Sequence, residues 1–162
     1  MAANILLKID GVTGESKIDG YEGQIDVLSA SIGASNATSV HFGGGAGTAK
    51  CNVHDLTITK RVDCASPDFF LKTCTGEHYD TATLVFMKAG GDNAVQVPYL
   101  QYELTEVYVS SWHQSGGGDQ FANEGVSLSC GKLKVSYWPQ NDDGTQGDVK
   151  EVTFNIAKNK KE

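Results

Sequence analysis

Residues 57–76 read Thr57-Ile58-Thr59-Lys60-Arg61-Val62-Asp63-Cys64-Ala65-Ser66-Pro67-Asp68-Phe69-Phe70-Leu71-Lys72-Thr73-Cys74-Thr75-Gly76. They hold the one helix signal in a chain whose remaining pattern is strands and turns. Ser66 suits an N-cap, because its hydroxyl can accept from free N–H groups of a first turn, and Pro67 at the next position loses no hydrogen bond there. Asp68 adds negative charge where the helix dipole favours it, and Gly76 can take the left-handed conformation that ends a helix. The spacing predicts a helix from about Pro67 to Thr75, roughly two turns, too short to be stable alone. Phe69, Phe70 and Leu71 are consecutive, so at about 100° per residue they spread over more than half the circumference. One side is expected to dock on the chain's own sheet and the other to need a second cover.

Upstream of this stretch the pattern is of strands. Ile5, Leu7 and Ile9 alternate with Leu6, Lys8 and Asp10, and a polar loop from Gly14 to Gly23 follows. A second strand, Gln24 to Ser35, is read with Leu28, Ala30 and Ile32 toward a core and with Ser29, Ser31 and Gly33 on a small, polar opposite face. Residues 39–50 are rich in glycine, and Gly43, Gly44, Gly45, Ala46 and Gly47 are expected to project from the body. Cys51, Val53, Leu56 and Ile58 read as a third strand, bulged where its inward phase changes, that leads into the helix.

Downstream, Tyr79 to Ala89 carries Leu84 and Phe86 on one face and Val85 and Met87 on the other, so both faces must be covered. Val95 to Val109 changes phase near Pro98 and Thr105. Ser115-Gly116-Gly117-Gly118-Asp119 is a loop tip, Val126 to Tyr137 shifts phase across Gly131, and Val152, Phe154 and Ile156 supply a last strand. Long bent strands of this kind predict a mainly β fold, a closed or nearly closed barrel of about eight strands with one short helix packed against it. No internal repeat or long linker divides the chain, so residues 1–162 are read as a single domain with no fused effector domain.

At 162 residues such a domain buries about 70% of the surface its unfolded chain exposes. Only 20% of the residues are charged, fewer than in an ordinary monomer, which points to surface buried between subunits. The net charge is −7, and the basic residues form no patch beyond Lys158, Lys160 and Lys161. Nucleic acid is therefore a poor partner. No apolar run is long enough for a membrane span, and residues 1–10 lack the basic and apolar regions of a signal peptide, so synthesis in the cytoplasm is expected. The 4 cysteines are too few for a disulfide framework and are read as reduced, buried thiols.

A search for chemistry finds no catalytic, metal or cofactor constellation. Cys51 and His54, or Cys74 and His78, have the spacing of zinc ligand pairs, but residues three apart on a regular strand leave opposite faces. Cys51, Cys74 and Cys130 sit in apolar patterns that disfavour a thiolate nucleophile. Gly43 to Lys50 lacks the Gly-Lys-Ser/Thr ending and the following helix of a phosphate loop. Asn141 to Gly144 lacks the remaining ligands of a calcium loop. Trp112, Trp138 and Tyr108 fit core or interface packing better than sugar stacking. A small β-barrel enzyme or carbohydrate-binding domain, using Cys and His or the tryptophans, is the alternative class.

Gly14-Glu15-Ser16, Ile25-Asp26-Val27-Leu28, the glycine loop ending at Lys50, Asp55-Leu56 through Thr59-Lys60, Ser66-Pro67, Thr75-Gly76 with His78, Lys88-Ala89-Gly90-Gly91 and Val109-Ser110-Ser111 occur in an order that resembles the haemolysin-coregulated proteins. The likeness runs from about Ile5 to Ile156. It implies a tube subunit of the bacterial type VI secretion apparatus, a non-enzymatic protein that forms homohexameric rings stacked into a hollow tube. Further partners implied are the spike protein, the sheath and small effectors carried in the lumen, with export that needs no signal peptide.

On that likeness Ser29 and Ser31 are candidates to face the lumen, and the loop from Gly43 to Gly47 to reach the adjacent ring. Phe69, Leu71, Val85 and Met87 are candidates for the subunit interface. The chain departs from the family's pattern at Cys64, where many relatives carry Lys, and at Ile18, Gly20 and Tyr21, where relatives are often more charged.

Overall fold

The computed structural model describes residues 4–38, 48–90 and 95–162. In chain order these form β1 (Asn4–Ile9), β2 (Ile25–Val27), β3 (Ser29–Ser31), β4 (Ala34–Thr38), β5 (Thr48–Val53), β6 (Leu56–Arg61), α1 (Ser66–Thr75), β7 (Tyr79–Gly90), β8 (Val95–Gly117), β9 (Gln120–Tyr137), β10 (Lys150–Asn155) and β11 (Lys160–Lys161). The fold is mainly β with one short helix, as the alternation of the sequence requires.

One sheet runs β11-β10-β9-β8-β7-β1-β2, and β9 also pairs with β6, which pairs with β3. Every ladder is antiparallel. β9 is long enough to hold β8 along one edge and to divide its other edge, with β6 against residues 123–128 and β10 against residues 132–137. Among the described residues no ladder joins β2 to β3 or to β6, so the sheet does not close into the expected barrel. β4 and β5 make a separate two-stranded ribbon that leads to and from residues 39–47. The loop Gly43, Gly44, Gly45, Ala46, Gly47 lies outside the described residues.

The two segments read as single strands are divided because their partners change. Residues 25–38 pair first with β1, then with β6, then with β5. At the first change the backbone kinks: the Leu28 N–H donates to the Thr59 carbonyl at 2.8 Å, and the inward set passes from Ile25 and Val27 to Ala30 and Ile32. Leu28 is left 54% exposed instead of facing the core. Residues 48–61 divide likewise at His54-Asp55, one part joining the ribbon and the other the main sheet. The phase changes expected at Thr105 and Gly131 are present: Glu106 has φ 56°, and the core takes Leu104 then Val107 on β8, and Leu128, Cys130 then Leu133 on β9.

The main core gathers Leu7, Ile25, Leu56, Ile58, Leu84, Leu104, Val126 and Leu128 with Phe69 of the helix. A smaller cluster of Leu6, Val85 and Met87 fills the other face of β1 and β7, where Ile18 and Tyr21 of the loop after β1 cover it. The chain itself thus supplies the second cover that Val85 and Met87 require. That loop lies flat because Gly14 lacks a side chain: a Cβ there would sit 2.4 Å from the Gln24 carbonyl oxygen.

Helix α1 ends as expected, with Gly76 at φ 72° and its N–H donating to the Lys72 carbonyl. Its start differs. Ala65 is the N-cap and makes no side-chain cap bond, and Ser66 is already helical. The Asp63 carboxylate accepts from the Ala65 N–H at 2.9 Å, while the Ser66 hydroxyl is turned inward to Glu124, to which it donates at 2.7 Å.

Candidate self-assembly interface

Three features bear on assembly: a polar sheet face, exposed apolar side chains, and a buried polar cluster beneath the start of the helix.

The polar face follows from strand parity. Leu56 and Ile58 of β6 and Val126 and Leu128 of β9 point into the core, so Thr57, Thr59, Gly125 and Ser127 point out. The register places Ser31, Thr57, Ser127 and Ser111 side by side across β3, β6, β9 and β8. Ser29, Thr59, Gly125 and His113 form the next row. Thr57 and Ser127 hydroxyls lie 3.2 Å apart, within hydrogen-bonding reach. The His113 ring lies across Gly125, where an added Cβ would come within 2.3 Å of Cε1. These two rows carry no carboxylate of their own, and Asp55 borders them, accepting from the Ser110 hydroxyl. Ser29 and Ser31, the two lumen candidates, are exposed at the edge of this face.

Of the four interface candidates, only Leu71 presents a free surface, 52% exposed. Phe69 is wholly buried in the main core, set edge to face against Tyr79 with ring centroids 6.5 Å apart. Val85 and Met87 are buried under Ile18 and Tyr21. These three pack within the single chain, because an apolar side chain is covered by the nearest layer available and here that layer is intramolecular. Phe70, beside Leu71, is half exposed and leans on Trp112 at 5.1 Å. Sequence reading missed Phe121, which is 81% exposed with the Arg61 guanidinium 5.8 Å from its ring centre, and Leu28, Val62, Tyr137 and Val152. Their only signal is a single apolar residue at a kink, hairpin or edge, which period-two counting assigns to the core.

Beneath the helix start, Lys60 and Glu124 face each other across the β6–β9 ladder, both buried, and form an ion pair. Lys60 Nζ also donates to Asp63 Oδ1 and to the Arg61 carbonyl, each at 2.8 Å. Glu124 further accepts from Trp112 Nε1 at 3.0 Å and Gln114 Nε2 at 3.1 Å. Burial pushes the Glu124 carboxyl up, but the hydrogen bonds from Lys60, Ser66 and Gln114 outweigh it and hold the group below the usual glutamate value. Every buried side-chain polar atom among the described residues has a hydrogen-bond partner. The pair sits where the inward rows Leu56-Ile58-Lys60 and Glu124-Val126-Leu128 leave the apolar core, a position the sequence shows only as two charges in phase with core residues.

The thiols are free, but not all are buried: Cys64 and Cys74 are exposed. Cys64 Sγ donates to the Thr13 carbonyl. Burial pushes the Cys130 thiol up to about 11, which removes it as a nucleophile. His54 is engaged with Ser35 Oγ at 3.1 Å, and among the described residues no three His, Cys, Asp or Glu side chains converge as a metal site.

Residues 6–137 match the family model described as Type VI secretion system effector, Hcp. The chain is 42% identical over 162 residues to Protein hcp1 of Pseudomonas aeruginosa strain PAO1, covering 98% of each. Among solved structures it resembles one described as a type six secretion system protein, with TM-score 0.90 and 30% identity over 99% of this chain and 100% of that one. It also resembles Hcp1 from Salmonella typhimurium, with TM-score 0.82 and 32% identity over the whole of both chains. These likenesses lend nothing to the enzyme or carbohydrate-binding alternative. The match to the family model and the near full-length identity to hcp1 place this chain in the Hcp family of type VI secretion proteins.

Proposed function

We propose that this protein is a tube subunit of the type VI secretion apparatus: six copies close a ring, rings stack head to tail, and effectors travel in the lumen. The hydroxyl-rich face built from Ser29, Ser31, Thr57, Thr59, Ser127 and Ser111 is the observation that carries the lumen reading. A wall lined by short hydroxyls takes up little space and hydrogen-bonds weakly to many polar surfaces, which suits a conduit that must hold cargo and release it. In the ring the main sheet, left open in the single chain, forms the wall of a nearly closed barrel. The ribbon of β4 and β5, with the loop from Gly43 to Gly47 between its strands, reaches toward the next ring. The spike protein and the sheath of the same apparatus are the further partners, and export through that apparatus is the route out of the cell.

Electron microscopy and native mass spectrometry of the purified full chain test the reading. Six-membered rings with an open centre are expected, and a strict monomer at high protein concentration would sink it. Effectors co-expressed with the chain should co-purify with the rings, and Ser31→Gln should weaken that retention while the rings stay intact. Unchanged retention would count against this face as the lumen wall.

A further inference from the structure

We propose that neighbouring copies of this chain dock through an apolar shelf formed by β8, β9 and β10 on one copy and an apolar lip around Phe121 on the next. The inference rests on the ring reading above and names the surfaces that make the ring.

The shelf follows from register. Leu104 pairs with Leu133, and both face the core. Two residues further along, the same face presents Tyr102, Val135 and Val152; two further again, it presents Leu100, Tyr137 and Lys150. β6 ends its pairing with β9 at Leu128, so no β6 residue lies alongside this part of β9. Val152 is 64% exposed and Tyr137 is exposed as well. The reverse face of these strands is polar, with Lys134 paired to Glu103 and Glu151. Apolar side chains therefore occupy the side that a sheet normally buries, and here the sheet extends past its own core.

The lip lies at the other end of β9. Leu28, Val62 and Phe121, all exposed, border a cleft of about 400 Å³ with Arg61, and Glu15, Asp26 and Asp63 form its acidic rim. The Asp26 carboxyl is raised, first by burial and then by the charges of Asp63 and Glu15, so this rim gains from an added cation. Along β9 from Phe121 to Val135 the contour is roughly 45 Å, at about 3.3 Å per residue, so shelf and lip of one chain do not meet.

Charge selects the pairing. Lys150 lies on the shelf's apolar face and has no ion-pair partner among the described residues. The adjoining residues 138–149 hold Asp142, Asp143 and Asp148 and no lysine or arginine, so Lys150 alone gives the shelf's apolar face its positive charge. An apolar shelf that presents Lys150 at one end and an apolar lip with an acidic rim at the other make a heterologous contact, which repeats with one sense of rotation and can close a ring.

The test uses the full-length protein. Carbodiimide cross-linking of mixed light and heavy-nitrogen copies should join Lys150 of one copy to Asp26, Glu15 or Asp63 of another. Phe121→Asp and Val152→Asp should each convert rings into monomers with an unchanged circular dichroism spectrum. Lys150→Glu should lower the ring fraction about ten-fold or more, and Asp26→Lys in the same chain should restore it. Persistence of rings in both aspartate variants, or cross-links joining other segments instead, would overturn the proposal while leaving the ring reading intact. A wild-type protein that never leaves the monomer removes both, and an assembly of two copies overturns the head-to-tail arrangement.

Discussion

Lys60 and Glu124 stand directly opposite each other on β6 and β9 and are both sealed from solvent, so the strand pair that floors the helix is locked by an ion pair at the end of the core. Taking two charges out of water is costly, and the pair is tolerated because Ser66, Trp112, Gln114 and Asp63 complete its hydrogen bonds. Removing one partner leaves the other charge uncompensated. Lys60→Met is expected to destabilise the folded monomer by about 3–5 kcal/mol, and Lys60→Met with Glu124→Leu to recover most of that loss. Urea unfolding of the two variants at a concentration where rings are dispersed measures both.

Acid should weaken the same lock. Glu124 has a folded-state pKa below its unfolded value, so its contribution is present in full above the unfolded value, about 4.3, and is lost as pH falls through the folded one. Glu77, Asp143 and Glu162 are lowered as well and add a background slope. The unfolding midpoint of the wild type should therefore fall more steeply below about pH 4.3 than that of the Lys60→Met, Glu124→Leu variant. Parallel pH profiles would show that the pair carries no acid-sensitive stability.

Phe69 and Leu71, two positions apart on the helix, should differ sharply in what they contribute to the folded monomer. Phe69 fills the core, so Phe69→Ala is expected to cost about 3–5 kcal/mol of monomer stability. Leu71 is half exposed, so Leu71→Asp should leave monomer stability within about 0.5 kcal/mol. Thermal unfolding of the pair of variants reads the two effects, and a Leu71→Asp chain that fails to fold would show the helix to be wholly core.

Gly14→Ala should loosen the cover over Val85 and Met87. The new Cβ would meet the Gln24 backbone, which is held by the Ser16 N–H at 2.9 Å and cannot swing aside as a flexible side chain would. A loss of about 1–3 kcal/mol is expected, together with faster hydrogen exchange at residues 14–24 and at the Leu6 and Val85 amides. Unchanged exchange at those amides would mean that the loop does not protect β1 and β7.

Thiol labelling of the dispersed monomer should distinguish the cysteines. Cys74 is exposed and should react with a disulfide reagent at pH 8, whereas Cys130 should lag far behind, because its thiol stays protonated until about pH 11. Mass spectrometry of the labelled peptides gives the order, and early modification of Cys130 would contradict its environment.

Local structure is legible in the order of the residues. Alternation in Ile5-Leu6-Leu7-Lys8-Ile9 and Leu84-Val85-Phe86-Met87 marks strands because side chains alternate faces along an extended backbone. Pro67, Asp68 and Gly76 bound one helix through backbone chemistry that acts within a turn. The ordered motifs from Gly14 to Ser111 resemble the Hcp family, to which the chain belongs.

Which partner each strand takes and what covers each face depend on contacts between segments far apart in the chain. Residues 25–38 break into three strands because three different strands claim them, and Leu28 is turned out at the first break. Phe69, Val85 and Met87 are buried by segments of the same chain. The pairing of Lys60 with Glu124, 64 positions apart, exists only through the β6–β9 register. Periodicity records the direction of a side chain relative to its neighbours in sequence, whereas burial depends on which distant segment arrives on that side, and that is settled only when the sheet is assembled.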